Sequence, residues 1–195
     1  MVNEKIPKKQ QFDTNYHYHD DDKIDPNKVW PQKTVLIVGD SMVNQLDEIR
    51  LSKSSKRSIK VRSFGGATIN SLYEKLTPLL KKKPETVILH VGTSDATYKS
   101  ANAIINVLLK LEKFIENTLD ECKVFFSLPI TRIDDKKAQA TIKQVIDIAK
   151  ETDIKVKCLL NSNIIENCLG KKGLHMNPRG VGRLAINLRS MIQKL

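Results

Sequence analysis

Strand-like and helix-like segments alternate five times along this chain, and that alternation restricts its fold more than any other feature. "TVLIVG" (34–39) is a short β-branched apolar run, as expected of a strand buried on both faces. "IKVRSF" (59–64), "TVILHVG" (86–92), "KVFFSL" (123–128) and "IKVKCLL" (154–160) follow it. Helical periodicity lies between and after them. Ile104, Leu108, Leu111, Ile115 and Leu119 repeat at spacings of four and three, as do Ala138, Ile142, Val145, Ile146 and Ala149. The last segment sets Val181, Leu184, Ala185, Leu188, Met191, Ile192 and Leu195 on one face. The pattern predicts an α/β domain, a parallel five-stranded sheet with helices on both faces. No internal repeat is visible.

Residues 1–32 break this pattern. They are polar, and the expectation is a mostly disordered tail ahead of a domain over 33–195, with Val29 and Trp30 able to dock back onto it. "YHYHDDD" in that tail offers His17 and His19 beside aspartates, a composition that could chelate a metal but reads more simply as solvated chain. Cys122, Cys158 and Cys168 are odd in number and widely spaced, which argues for reduced thiols rather than a disulfide framework or zinc knuckle. No apolar run approaches the ~18 residues of a membrane span, and the first residues do not read as a secretory signal. No membrane partner and an intracellular location are the expectations.

Charge bears on partners. Residues 1–33 carry six lysines and six acidic residues, so the net charge of +11 falls entirely on the remainder. Such a surface favours polyanions, and nucleic acid is one possible partner. The basic residues are scattered rather than gathered in one motif.

In a doubly wound sheet, ligands bind at the carboxyl ends of the strands. The segments there are "GDSM", "GGAT", "GTSD", "PITR" and "NSNI", all polar or glycine-bearing. None is a P-loop or a G-x-G-x-x-G, so no nucleotide cofactor is expected. Taken in order, "VGDS", "SFGGAT", "VGTSD" and the "GLH" before the last helix resemble the blocks of the SGNH hydrolases, the GDSL-like esterases and lipases. The resemblance covers residues 34 to 195. More narrowly, "GDSMVNQLDEIRLSK", "RSFGGAT", "HVGTSDA" and "KKGLHMNPRG" are similar to SGNH-like domains of invertebrate multi-copy genes, some akin to esterase-like parts of retrotransposon reading frames.

The resemblance implies a three-layer flavodoxin-like fold, no cofactor or metal, and hydrolysis of a small acyl ester through an acyl-serine. It implies Ser41 as nucleophile, with its own N–H as one oxyanion donor. Gly66 would be the second donor, with Gly65 as the alternative, and His175 the base. Two positions depart from the family pattern. Ser94 stands where an asparagine should donate to the oxyanion, and Lys172 where an aspartate should orient His175. An ammonium near the imidazole disfavours its protonated form. Lys172 could swing to solvent, and another carboxylate such as Asp95 could hold the ring. Two readings therefore stand together: an esterase with weakened or lost hydrolysis, and a non-catalytic module that binds a ligand in the former cleft or nucleic acid on its basic surface. His90 is expected to be a hydrogen-bonded core histidine, Asp40 to tie loop amides, and Asn177-Pro178-Arg179-Gly180 to start a helix.

Overall fold

The computed structural model describes residues 28–195, so the expectations for His17, His19 and most of the polar tail lie outside the described residues. Five parallel strands, β1 (Val35–Gly39), β2 (Ile59–Ser63), β3 (Thr86–His90), β4 (Lys123–Ser127) and β5 (Cys158–Leu159), form one sheet in the order β2-β1-β3-β4-β5. Among the described residues five α-helices accompany them: α1 (Glu48–Ser55), α2 (Leu72–Leu80), α3 (Ala101–Thr118), α4 (Lys136–Glu151) and α5 (Pro178–Ile192). This is the doubly wound α/β fold that the alternation predicts, with the strand order of flavodoxin-like domains.

Residues of β1 alternate between two cores. Leu36 and Val38 point into a cluster with Leu72, Leu76, Ile104, Leu111, Ile142 and Val145, on the side of α2, α3 and α4. Val35 and Ile37 point into a second cluster with Leu51, Leu184, Leu188 and Ile192, on the side of α1 and α5. Every residue of β1 and β3 is buried, which is why these strands read as unbroken apolar runs rather than alternating ones. The helical spacings face the core as expected: Ile104, Leu108, Leu111 and Ile115 are buried on α3, and Ala138, Ile142, Val145 and Ala149 on α4.

The fifth strand departs from expectation. "IKVKCLL" folds as a 3-10 helix over Asp153–Lys157 followed by a strand of two residues. It is the sheet edge, where short strands are favoured because they leave few unpaired backbone groups. Val156 is 75% exposed and Lys157 turns to Glu112 at 2.5 Å, while Ile154, Cys158 and Leu159 pack only partly buried against the cores.

Before β1 the chain is anchored. Trp30 packs partly buried against the larger core, its N–H donates to the Lys82 carbonyl at 2.9 Å, and the Arg62 guanidinium lies 5.7 Å from its ring centroid. All three cysteines are free. Among the described residues no helix is long and apolar enough to cross a membrane.

Candidate active site

The chain runs from β1 outward to β2 and then crosses to β3 on the other side of β1. The carboxyl ends of β1 and β3 therefore flank the point where the strand order reverses, and a crevice opens there. The turn after β1 is set by close packing. A Cβ on Gly39 would lie 2.1 Å from the His90 carbonyl oxygen, so only glycine lets β1 and β3 approach here. Asp40 N then donates to that same carbonyl at 3.1 Å. Asp40 Oδ1 accepts from Met42 N at 3.0 Å, capping a 3-10 turn over Ser41–Val43. The chain bends sharply and leaves Ser41 half-buried at the lip of the crevice.

The residues after β2 are tied to this turn. Phe64 N donates to Gly39 O at 2.9 Å, and Ser63 Oγ to Asp40 O at 2.9 Å. Ala67 N closes a turn on Phe64 O at 3.0 Å, with Gly66 at φ +67°, which a side chain would strain. Among the described residues the N–H groups of Ser41, Gly65 and Gly66 have no hydrogen-bond acceptor.

Opposite lies the segment that precedes α5. Leu169 and Met176 form an antiparallel bridge, and Gly170 N donates to His175 O at 2.7 Å. Gly173 N donates to Gly170 O at 2.8 Å, with Gly173 at φ +70°. Asn177 fixes the base of this hairpin. Its Oδ1 accepts from Gly180 N at 3.1 Å as the helix cap, while its Nδ2 donates to Asn167 O and Leu169 O, each at 2.9 Å. Pro178 opens α5, as expected of this tetrapeptide. A Cβ on Gly180 would come 2.3 Å from Cys168 O.

The hairpin brings His175 Nε2 to 3.0 Å from Ser41 Oγ, across 134 positions of sequence. That is the separation a base needs to take a serine proton. The imidazole is exposed, and among the described residues no group hydrogen-bonds its far nitrogen, Nδ1. Lys172 is exposed and hydrogen-bonded to nothing among the described residues.

Asp95 does not hold His175. It is fully buried, and its carboxylate accepts from Ile69 N at 2.9 Å, Lys99 Nζ at 2.5 Å and Tyr98 Oη at 3.4 Å. It knits the loop after β3 to the one after β2. Ser94 follows β3 half-buried; its carbonyl accepts from Thr97 Oγ1 at 2.8 Å, and its hydroxyl has no partner among the described residues.

His90 is buried, with Nδ1 2.9 Å from Ser127 Oγ, and burial lowers its pKa to about 4, so the ring is neutral. Asp40 is 2% exposed, and burial raises its carboxyl to about 6 against the pull of Met42 N–H, Thr93 and the His175 charge. Thr93 lies near enough to act on the Asp40 carboxyl as a dipole, but among the described residues neither Asp40 Oδ2 nor Thr93 Oγ1 makes a hydrogen bond of full geometry.

Two groups on the loop bonded to the His175 hairpin are not singled out by the sequence reading. Arg132 and Asp134 follow β4 and form a paired contact, Nε to Oδ1 at 2.7 Å and Nη2 to Oδ2 at 2.6 Å. The guanidinium holds Asp134 below the usual carboxylate range, and the charge of His175 acts in the same direction. The sequence signal was "TRIDD" at the carboxyl end of a strand, where functional groups of this fold gather.

A groove of about 730 Å³ lies elsewhere, between the ends of β4 and β5 and helix α4. Its lining includes Ile130, Lys136, Lys143, Lys150 and Ile164, but none of Ser41, Gly66, Ser94 or His175.

No protein-family model matches the chain, and no curated protein does. Solved structures do. A G-D-S-L family protein described as lipolytic, from Desulfitobacterium hafniense, superposes with a TM-score of 0.64 at 20% identity, covering 81% of this chain and 98% of its own. A member of the lipolytic G-D-S-L family from Veillonella parvula gives 0.63 at 16% identity, over 83% and 99% of the two chains. A catalytic mutant of an acetylxylan esterase from Geobacillus stearothermophilus gives 0.63 at 15%, over 85% and 96%. The chain shares the fold of these lipolytic proteins and esterases over nearly their whole length.

Proposed function

We propose that the chain is an SGNH-type serine ester hydrolase of reduced turnover, acting on small acyl esters through a Ser41–His175 dyad. The observation that carries this reading is the 3.0 Å contact between Ser41 Oγ and His175 Nε2 on a fold shared with G-D-S-L lipolytic proteins and an acetylxylan esterase. The motif blocks at Ser41, Gly66 and His175 support it.

The chemistry follows from the geometry. His175 Nε2 takes the Ser41 proton as Oγ attacks the acyl carbon. The N–H groups of Ser41 and Gly66, free of other acceptors, receive the negative charge that develops on the carbonyl oxygen, and Ser94 Oγ adds a third donor. The imidazolium then returns its proton to the departing alkoxide, leaving an acyl-serine. Water, activated by the same ring, releases the acid. The exposed ring gives water direct access.

Turnover is reduced for two reasons. Without a carboxylate on Nδ1 the productive tautomer is not enforced, a defect that costs ~10⁴-fold in serine proteases. A serine hydroxyl reaches less far than an asparagine amide, and loss of one such donor costs about 10²–10³-fold. Groups that act as a unit do not combine multiplicatively, so these figures together set an upper bound on the deficit. Hydrolysis of a short-chain nitrophenyl ester tests the reading: slow turnover by the wild type and none by Ser41→Ala is the expected result. Equal rates for the two proteins would remove the enzyme claim.

A second reading has its own observation. Lys136, Lys143 and Lys150 recur every seven residues along α4 and line the groove beside β5, on a chain of net charge +11. In this reading the basic face binds nucleic acid without chemistry. Anisotropy of labelled single-stranded RNA at about 50 and 200 mM salt decides it, since phosphate-driven affinity is strongest at low salt. Absence of binding at the lower concentration would sink it.

A further inference from the structure

The hairpin that carries His175 leans on the loop that follows β4. Ile133 N donates to Gly173 O at 2.9 Å, joining the two loops by their backbones. The contact is tight: a Cβ on Gly173 would stand 2.4 Å from Ile133 Cγ1 and 3.1 Å from Asp134 N. Asp134 therefore emerges beside the hairpin two residues before the base. Its carboxylate is held at both oxygens by Arg132, which is itself 7% exposed and donates through Nη1 to Thr93 O at 3.3 Å. Arg132 thus ties the loop after β3 to the loop after β4, and Ile133 between Arg132 and Asp134 bonds that loop to the hairpin. An anion therefore stands on a loop joined to the His175 hairpin, from a different strand than the family pattern uses, while Lys172, at the usual position, is exposed and unpaired among the described residues.

We propose that Asp134, clamped by Arg132, is a positioning residue for His175 and supplies part of the electrostatic support that the aspartate replaced by Lys172 would have given. This rests on the serine-hydrolase reading of the same site. Asp134 acts through His175 and not on the substrate. It favours the imidazolium that forms as Ser41 gives up its proton, and its loop fixes the height of the hairpin over the crevice. The charged groups that act on the ring from neighbouring elements are Asp40 from the turn after β1 and Asp134 from the loop after β4, the latter paired with Arg132; Lys172 on the hairpin itself is exposed to solvent. Asp40 is left in place in every variant, so a change at Asp134 is read against it.

The test is a double-mutant cycle on ester hydrolysis, with Asp134→Asn placed in the wild type and in Lys172→Asp. In the wild type the expected loss is about tenfold in kcat with KM unchanged, the effect of a nearby charge pair acting without a hydrogen bond. In Lys172→Asp, where the ordinary carboxylate is restored, the loss should fall below about threefold. A second variant, Arg132→Met with Asp134→Asn, removes both charges and leaves no unpaired guanidinium to oppose the imidazolium; its loss in the wild-type background should be smaller than that of Asp134→Asn. Equal losses in the two backgrounds, or no loss in the wild type, would overturn the inference and leave the serine-hydrolase reading intact. A wild type and a Lys172→Asp variant that are both inactive would instead sink the hydrolase reading, and this inference with it. Activity in Lys172→Asp alone would show that Asp134 gives the native site no useful support.

Discussion

The two sides of the crevice are held in opposite ways. On the nucleophile side everything that places Ser41 is buried: Gly39 is pressed against β3, Asp40 is 2% exposed, and the turn is bonded to β2 and β3 through backbone atoms. On the base side the backbone is equally well bonded, through Gly170, Gly173 and Asn177, but the side chains of Lys171, Lys172 and His175 face solvent. Ser41 thus stands where the sheet puts it, and changing its surroundings means breaking the fold. The residue at position 172 can be exchanged at no structural cost. On the proposed serine-hydrolase reading, the orienting carboxylate is therefore the part of the site that can be absent without disturbing the fold.

Substitutions can sharpen that contrast. The largest effect belongs to the rigid side. Gly39→Ala drives a methyl group into the His90 carbonyl, and we expect a loss of about 4 kcal/mol or more in chemical denaturation, or failure to fold. On the permissive side Lys172→Asp should leave the melting temperature unchanged and raise kcat by about 10²–10³-fold, part of the ~10⁴ that such a carboxylate supplies elsewhere. A fall in stability, or no gain in rate, would break the distinction between the two sides.

Asp40 gives the rigid side a pH signature. Its carboxyl titrates at about 6 in the folded protein against an ordinary 3.8, so the folded state binds the proton more tightly. The sign follows: this group favours folding below pH ~4, and its contribution is lost as pH rises through 6, by about 3 kcal/mol in all. Replacing it with asparagine, which keeps an oxygen for Met42 N, should remove that decline when denaturation midpoints are compared at pH 4 and 7. A wild type and an Asp40→Asn variant with the same pH dependence would show that the carboxyl is solvated. Smallest is Ser94→Asn, which should raise kcat about tenfold without altering stability, by restoring a longer donor towards the oxyanion.

Much of this was legible in the sequence, for physical reasons that differ by residue. β1 and β3 could be read because strands buried on both faces must be apolar throughout. α3 and α4 could be read because one stripe of each is buried. Ser41 and His175 could be paired because their motif blocks resemble those of the SGNH hydrolases, and the structure brings the two side chains within 3.0 Å. The edge segment 153–159 misled, since its apolar residues look like one strand but most of it folds as a 3-10 turn that packs Ile154 against the core and leaves Val156 in solvent. Asp134 was invisible for another reason. Its place beside His175 depends on a glycine at 173 admitting Ile133, a contact between loops that no local pattern records. Asp95, one carboxylate that could have held His175, is instead occupied by Ile69 N, Lys99 and Tyr98.

The central claim is that the sheet has kept a working Ser41–His175 pair while the orienting carboxylate has gone. Labelling with a fluorophosphonate probe, mapped by peptide mass spectrometry, addresses it most directly. The account predicts slow modification of Ser41 in the wild type, faster modification of Ser41 in Lys172→Asp, and none in His175→Ala. An unmodified Ser41 in both the wild type and Lys172→Asp would contradict it.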